Sequence, residues 1–317
     1  MINRVLIRVK TVQLLYANLN NPSSSQVSAE NELQTSLDKT YELYHWLLQL
    51  SVDITSYAVK RIEIGLNKMR PTPEESNPNR RFINNKFAKQ LAKNKELAKY
   101  VSEHGISWEE NNDLVKNLYE LICRSDIYKE YMAAPSSDYE NDKVFWRRVY
   151  KKILMPDKSL DAQIEEINLY WNDDSETVFS FIDKTIKHFC VENEENQSLL
   201  PMYRDESDKE FAIQLYKFTI ENKDEYMKWI EDTAKNWEVE RIAAMDIAIM
   251  QAAIAELTHF PTIPVNVTLN EYIEISKFYS TEKSCTFING VLDSITNKLR
   301  KENKLLKVGA LVKDDSK

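Results

Sequence analysis

Glycine is nearly missing from this chain, with four in 317 residues: Gly65, Gly105, Gly290 and Gly309. Glycine-rich loops are what let a backbone close around phosphate groups, so the phosphate-binding loop and the dinucleotide-binding signature are excluded. Cysteine is equally sparse. Cys123, Cys190 and Cys285 are odd in number and widely spaced, which points to a reducing compartment rather than a disulfide framework. His188 with Cys190 alone makes no zinc site, and no metal or cofactor is implied. No apolar run is long enough to span a bilayer, and Arg4, Arg8 and Lys10 interrupt the N-terminal pattern where a signal-peptide core would lie. We therefore expect a cytoplasmic protein. Cations are outnumbered as well. The formal charge of −8 argues against indiscriminate nucleic-acid binding, because affinity for phosphates scales with the cations brought to them. Any RNA contact must be local.

What the chain does have is helical material. Leu, Lys, Glu and Ala fill the stretches between polar turns, and 43% hydrophobic residues suffice for a substantial core, so the fold class is all-α. The length allows one large domain or two ordinary ones. Residues 1–20 read as a helix, with Val5, Leu6, Val9, Val12, Tyr16 and Leu19 on one broad face and Asn20, Asn21 and Pro22 as its stop. Ile7 and Leu14 fall on the opposite side, so something else in the chain or a partner is expected to cover them, the middle of the chain being the obvious cover. A Ser-rich linker at 22–28 precedes a long amphipathic helix through Leu37, Tyr41, Tyr44, Leu48, Val52, Thr55 and Val59. A turn-rich break, RPTPEESNPN, follows it.

Residues 80–100 are basic, with Arg80, Arg81, Lys86, Lys89, Lys93, Lys95 and Lys99 interleaved by Phe82, Phe87, Leu91 and Leu97. This pattern fits either a phosphate-tracking helix or an ordinary solvated helical face. Ser107 and Glu110 have capping-box spacing ahead of Leu114, Leu118, Leu121 and Ile122. Further helices are expected at 126–132, 141–154, 159–171, 175–190, 205–221 and 226–234. Paired acids such as Glu165/Glu166, Asp173/Asp174 and Glu194/Glu195 read as exposed helix ends and loops rather than metal ligands or an acid/base pair.

The clearest periodicity lies between Asn236 and Arg300. Ile242, Met245, Ile249, Ala252, Ala253, Glu256 and Leu257 follow helical spacing, and Ala248 and Met250 widen the apolar surface, which makes this helix central to a bundle. HFPTIP then breaks the chain, after which Asn266 or Thr268 is expected to cap a helix through Leu269, Tyr272, Ile273, Ser276 and Tyr279. Ser284 is the expected cap of the last helix, whose stripe is Ile288, Val291, Leu292, Ile295 and Leu299. Gly290 inside that helix costs about 1 kcal/mol relative to alanine, so a close backbone approach, in the chain or by a partner, is expected there.

These residues resemble a known family. WEVERIAAMDIAIMQAAIAEL, IPVNVTLNEYIEISKFY and SCTFINGVLDSI are similar, in order and spacing, to the three successive C-terminal blocks of the NusB family of transcription antitermination factors. The most specific pieces are LNEYIEISK and FINGVLD. At the other end VLIRVKTVQLLYA resembles the family's first helix, with Arg8, Gln13, Leu15 and Tyr16 matching. The resemblance covers 1–20 as the first bundle helix and 205–300 as the C-terminal helices. Residues 21–204 then read as a helical insertion partly replacing family helices, and 301–317 as a basic, then polar, tail.

The resemblance implies a NusB-like helical bundle without catalytic activity. Such a protein binds boxA-like single-stranded RNA of ribosomal RNA leaders together with the ribosomal protein NusE, and acts on RNA polymerase through that complex. Carried over residue by residue, Arg4, Arg8 and Lys10 become phosphate contacts or, alternatively, ordinary helix-edge charges. Phe287 becomes a stacking ring or simply core, with Lys283, Ser284 and Thr286 beside it. Tyr16, Glu271 and Glu274 fall on the partner side. Missing cations could come from 80–99 or from the tail residues Lys298, Arg300, Lys301, Lys304 and Lys307. Apolar Val5, Leu6 and Ile7 stand where the family is often basic, and Gln251 replaces a usual arginine. Those departures support the alternative, a protein-interaction scaffold of the same fold that has lost specific RNA binding. NusB-like domains also precede RNA methyltransferase domains, but no glycine-rich cofactor loop is present here.

Overall fold

The computed structural model describes residues 1–20, 26–135, 138–234, 242–305 and 307, of residues 26–30 the backbone only, and every regular element in them is helical. Asn21, Pro22, residues 236–241 and most of the tail lie outside the described residues. By contact the described residues divide into two units. One comprises Met1 and Asp38–Met202, the other the described residues of Ile2–Leu37 and Tyr203–Lys317. No described helix is long and apolar enough to cross a membrane.

The first helix, α1, spans Arg4–Asn20, and α2 runs from Gln26–Leu66, so it already begins inside the stretch expected as linker. In the first unit α2 is the axis. Leu43, Tyr44, Leu47, Leu48, Leu50 and Ile54 are fully buried along it. Three buried ring donors find acceptors on its backbone: Trp171 Nε1 on the Lys39 carbonyl (2.7 Å), Trp108 Nε1 on that of Trp46 (2.9 Å) and the Tyr150 hydroxyl on that of Leu47 (2.9 Å). A mid-helix carbonyl has a second lone pair to offer, which is how large aromatic side chains bury without stranding their polar ends.

Around α2 lie short helices. Within the turn-rich break, Thr72 and Glu75 close a capping box on the single-turn α3, Pro73–Ser76. The basic segment is two helices rather than one: α4, Lys86–Ala92, and α5, Lys95–His104. Two buried asparagines impose the break. Asn85 Oδ1 accepts from the Ala88 N–H and Asn94 Oδ1 from the Leu97 N–H, both at 2.9 Å, and each therefore starts a new helix. Ser107 does not cap the next α-helix. It receives the Glu109 N–H in a 3-10 turn, and α6 begins at Asn112–Arg124 without a side-chain cap. Then come α7, Asp126–Ala133, and α8, Tyr139–Val149, which runs into a π turn at Tyr150–Leu154. The unit closes with α9, Lys158–Ile167, and α10, Ser175–His188.

One ring column in this unit makes its stability depend on pH. His45 is buried, donates Nδ1–H to the Tyr41 carbonyl at 2.9 Å and stacks on Tyr100 at 3.6 Å, and Tyr100 stacks on His104 at 3.8 Å. Burial, aided by the nearby His104, pushes His45 down to about 4 against the opposing hydrogen bond to Tyr41. The unfolded chain therefore binds the proton first, so the contribution is intact above the unfolded value of 6.5 and is lost as pH falls towards 4. At about 1.4 kcal/mol per pH unit the full loss is roughly 3 kcal/mol. Urea titrations of wild type and His45→Gln between pH 7 and 4.5 should show the steeper loss in wild type. Parallel curves would remove His45 from the account.

The second unit contains α1 with α11, Glu206–Glu221, α12, Lys223–Thr233, α13, Ala244–His259, α14, Val265–Tyr279, and α15, Glu282–Lys301. Helix α13 is its centre, touching α1, α11, α12, α14 and α15. Every residue from Ala248 to Leu257 on it is buried, as an all-round apolar helix requires. Ile7 and Leu14 of α1 are buried too, and the helices packed closest on α1 are α13 and α11, with α14 behind them. The expected caps shift. Helix α14 starts straight from Pro264 with no side-chain cap, leaving Thr268 free to donate elsewhere, and Thr281 rather than Ser284 caps α15, accepting the Ser284 N–H at 3.2 Å.

Candidate nucleic-acid interface

A charge sits at the middle of the second unit. Glu256 on α13 is fully buried, which is tolerable only if its carboxylate is paired and hydrogen-bonded. Arg8 supplies the pairing with two bonds, Nε to Oε2 at 2.7 Å and Nη2 to Oε1 at 2.9 Å. Thr268 donates to Oε1 at 2.8 Å and the Tyr272 hydroxyl lies 3.4 Å from Oε2. Glu271 approaches the same guanidinium at 3.5 Å. Burial alone would pull the Arg8 pKa down, but the hydrogen bonds and charge of Glu256 outweigh it and hold it raised. The Lys307 ammonium donates to the Glu256 and Phe260 carbonyls (3.2 and 2.8 Å), so it closes the C-terminal end of α13, and burial lowers its pKa to about 8.

Arg8 is thus turned inward at 3% exposure, and Lys10 is buried as well. Neither presents a cation to solvent. Arg4 is one-third exposed, with Nε 3.1 Å from Asp208 Oδ1 and its guanidinium 5.0 Å from the Phe211 ring. The solvent side of α1 is instead Val5, Tyr16 and Leu19, so the helix has its charge inside and an apolar edge outside. Gln13 lies roughly 180° around α1 from Arg4 and donates to the Tyr279 hydroxyl at 3.1 Å, which ties α1 to the end of α14.

The outer surface of α14 and α15 is different. Val267, Glu271, Glu274 and Phe278 recur at three- and four-residue spacing on one side of α14. Phe278 is 83% exposed, a large ring with little cover among the described residues, and Glu274 stands beside it paired with Lys277. On α15, Lys283 and Thr286 are exposed, while Ser284 and Phe287 are half-buried. Lys283 enters no ion pair among the described residues. Gly290, one turn on, is exposed, and a Cβ added there would meet nothing within 4 Å, so no described residue makes the close approach expected of it. Gly290→Ala should accordingly raise the unfolding free energy by about 1 kcal/mol, read from urea midpoints. A loss of stability would show a tight contact that the structure lacks.

The structure therefore brings Arg8 and Glu271 together directly, beside Glu256, and groups Lys283, Ser284, Thr286 and Phe287 on the first turns of α15. It leaves Arg4 on the α11 side of α1. Of the tail cations Lys307 is enclosed, and Lys304 pairs with Glu302 at 3.1 Å beside the Trp229 ring. Lys298 lies 3.9 Å from Asp232, and Arg300 and Lys301 are exposed. Sequence reading missed Phe278, whose position on the Glu271/Glu274 side could have been found by helical spacing. It also missed the Glu256 hub, because Glu256 sits among apolar residues and its countercharge, Arg8, is far away in the chain.

Compared with known proteins, residues 176–297 match the NusB family. The chain is 41% identical over 110 residues to the transcription antitermination protein NusB of Salinibacter ruber, across 35% of this chain and 69% of that protein. It is 39% identical over 127 residues to the protein of the same name from Thermodesulfovibrio yellowstonii, across 40% of this chain and 79% of the relative. With the one from Geotalea daltonii it shares 42% over 89 residues, across 28% of this chain and 61% of the relative. No solved structure matches.

Proposed function

Because the chain belongs to the NusB family, we propose that it is a non-catalytic, cytoplasmic RNA-binding adaptor in transcription antitermination of ribosomal RNA operons. It takes boxA-like single-stranded RNA together with NusE and reaches RNA polymerase through that assembly. The observation that carries this reading is the open surface of α14 and α15. A lysine, two hydroxyls and a half-buried ring sit on the first turns of α15, with an exposed glycine further along the helix, next in the chain to a stripe with a largely exposed phenylalanine. Single-stranded RNA is held by cations on its phosphates and by rings under its bases. Lys283 and the one-third-exposed Arg4 serve the first need, Phe287 the second, and Ser284 and Thr286 offer hydrogen bonds. An exposed aromatic ringed by charged residues is a protein-docking feature, so Glu274 and Phe278, with Glu271 and Tyr16 at the edges, take NusE. Arg8 supports this surface from inside, through Glu256 and Glu271, and neither it nor the buried Lys10 is placed to touch RNA.

Electrophoretic mobility shifts with a short boxA-like RNA, with and without NusE, test the reading. A shift that NusE strengthens and salt weakens is expected, and no shift under any condition overturns it. A second reading, a scaffold that binds its protein partner but not RNA, is favoured by the apolar outer edge of α1 and by the enclosure of Arg8 and Lys10. NusE capture without any RNA shift would establish it instead.

A further inference from the structure

The first unit carries cations that the proposed function has not used. Helix α4 is only seven residues long, yet its exposed positions include Lys86, Lys89 and, at its C-cap, Lys93. At about 100° and 1.5 Å per residue, Lys86 and Lys93 fall within roughly 20° of one line and about 10 Å apart along it, with Lys89 between them and to one side. Together they form one wall of an open pocket of about 370 Å³, faced by Tyr139 of α8 and by Glu194 and Glu195. Lys89 Nζ donates to Asn84 Oδ1 at 2.7 Å, whereas Lys86 and Lys93 enter no ion pair among the described residues. Glu195 is held by Lys95 at 2.7 Å.

The far wall is fixed in place. Gln90, largely buried, donates to the carbonyls of Cys190 (2.9 Å) and Glu194 (2.8 Å) and accepts the Tyr139 hydroxyl. Glu194 itself stands at φ 44° and ψ −129°, a backbone conformation that side chains other than glycine rarely adopt. Conformations of this kind persist where the surroundings hold them, and they gather at ligand clamps.

The shape selects the ligand. A single phosphate is best met by groups converging on a point, but these three ammonium groups form a row. The two glutamates offset part of their charge, so an isolated anion gains little, while linked phosphates engage the row together and gain by multivalency. We propose that this pocket is a second RNA contact, in which Lys86, Lys89 and Lys93 follow the phosphodiester backbone of a single strand. The proposal rests on the RNA-binding reading above, but α4 lies outside residues 176–297, which carry the family match.

Titration of the full chain with a labelled single-stranded RNA across a salt series, together with lysine-acetylation footprinting by mass spectrometry, tests it. Lys86→Ala/Lys93→Ala should bind about tenfold more weakly at low salt. Its slope of log affinity against log salt should be smaller by about 1.4, two contacts at roughly 0.7 each for single strands. Lys86→Arg/Lys93→Arg should keep both values, and bound RNA should shield the wild-type lysines from acetylation. Circular dichroism melts confirm that the variants fold, and the footprint needs no variant at all. If wild type binds RNA while the alanine variant is unchanged and the lysines stay reactive, the pocket is no RNA contact, although the adaptor reading survives. If inorganic pyrophosphate shields the lysines as well as RNA does, the site takes small anions and the strand proposal fails. If wild type binds no RNA, both readings fall.

Discussion

Glu256→Gln is expected to lower the unfolding free energy of the second unit by about 3–5 kcal/mol, the range found when one partner of a buried ion pair is removed. Glutamine keeps the size and one carbonyl oxygen, so Thr268 retains an acceptor. Arg8, however, loses its bidentate countercharge, keeps only Glu271 at 3.5 Å and faces an amide N–H₂ group. The penalty comes from that poorly compensated buried charge rather than from lost packing. Arg8→Met should destabilise by a similar amount, because it leaves the buried Glu256 carboxylate without its cation, on the Thr268 and Tyr272 hydroxyls only. The double variant should lose clearly less than the sum of the two, as residues acting as a pair do in a double-mutant cycle. Urea unfolding of all four proteins at pH 7 gives the answer. Additive losses would mean that the two bonds at 2.7 and 2.9 Å contribute nothing as a pair.

The second large effect belongs to the proposed RNA surface. Phe287→Ala should weaken boxA-like RNA binding by about 1–3 kcal/mol, the amount a stacked base contributes, or roughly five- to 150-fold. Phe287→Tyr should preserve it. Lys283→Ala should instead act through the phosphate, weakening binding less and lowering the salt slope by about 0.7. The two variants are thus separable, since one changes affinity at every salt concentration and the other changes its dependence on salt. Phe287 is half-buried, so its alanine variant must first be shown to melt near the wild-type temperature. Unchanged affinity in both variants would move the RNA away from α15.

Much of the fold could be read in the sequence because helical periodicity is local. The stripe through Ile288, Val291, Leu292, Ile295 and Leu299 is buried as its spacing requires, and the all-round apolar run after Met245 became the central helix. What periodicity does not carry is direction. In α1 the same residues fit two orientations, and the one adopted puts Val5 and Tyr16 outside because Glu256, more than two hundred residues away, needs Arg8 inside. Caps went astray for a related reason. Thr268 has the chemistry of an N-cap, but a buried carboxylate is a stronger claim on its hydroxyl than a solvent-accessible helix end. The basic stretch looked continuous because lysines share a helical pattern on both sides of Asn94, and only the burial of that asparagine reveals the break. For the candidate site, Lys283, Thr286 and Phe287 could be picked out from their block. The exposure of Phe278 could not, since an aromatic at the end of an amphipathic helix is as readily core as surface.

The most direct test is a closed binding cycle among this chain, a labelled boxA-like RNA and NusE at fixed salt. An adaptor must couple its two ligands, and the coupling must be reciprocal. NusE should tighten RNA binding at least about fivefold, and RNA should tighten NusE binding by the same factor. NusE binding with no measurable RNA affinity, or RNA affinity that NusE leaves unchanged, would contradict the account.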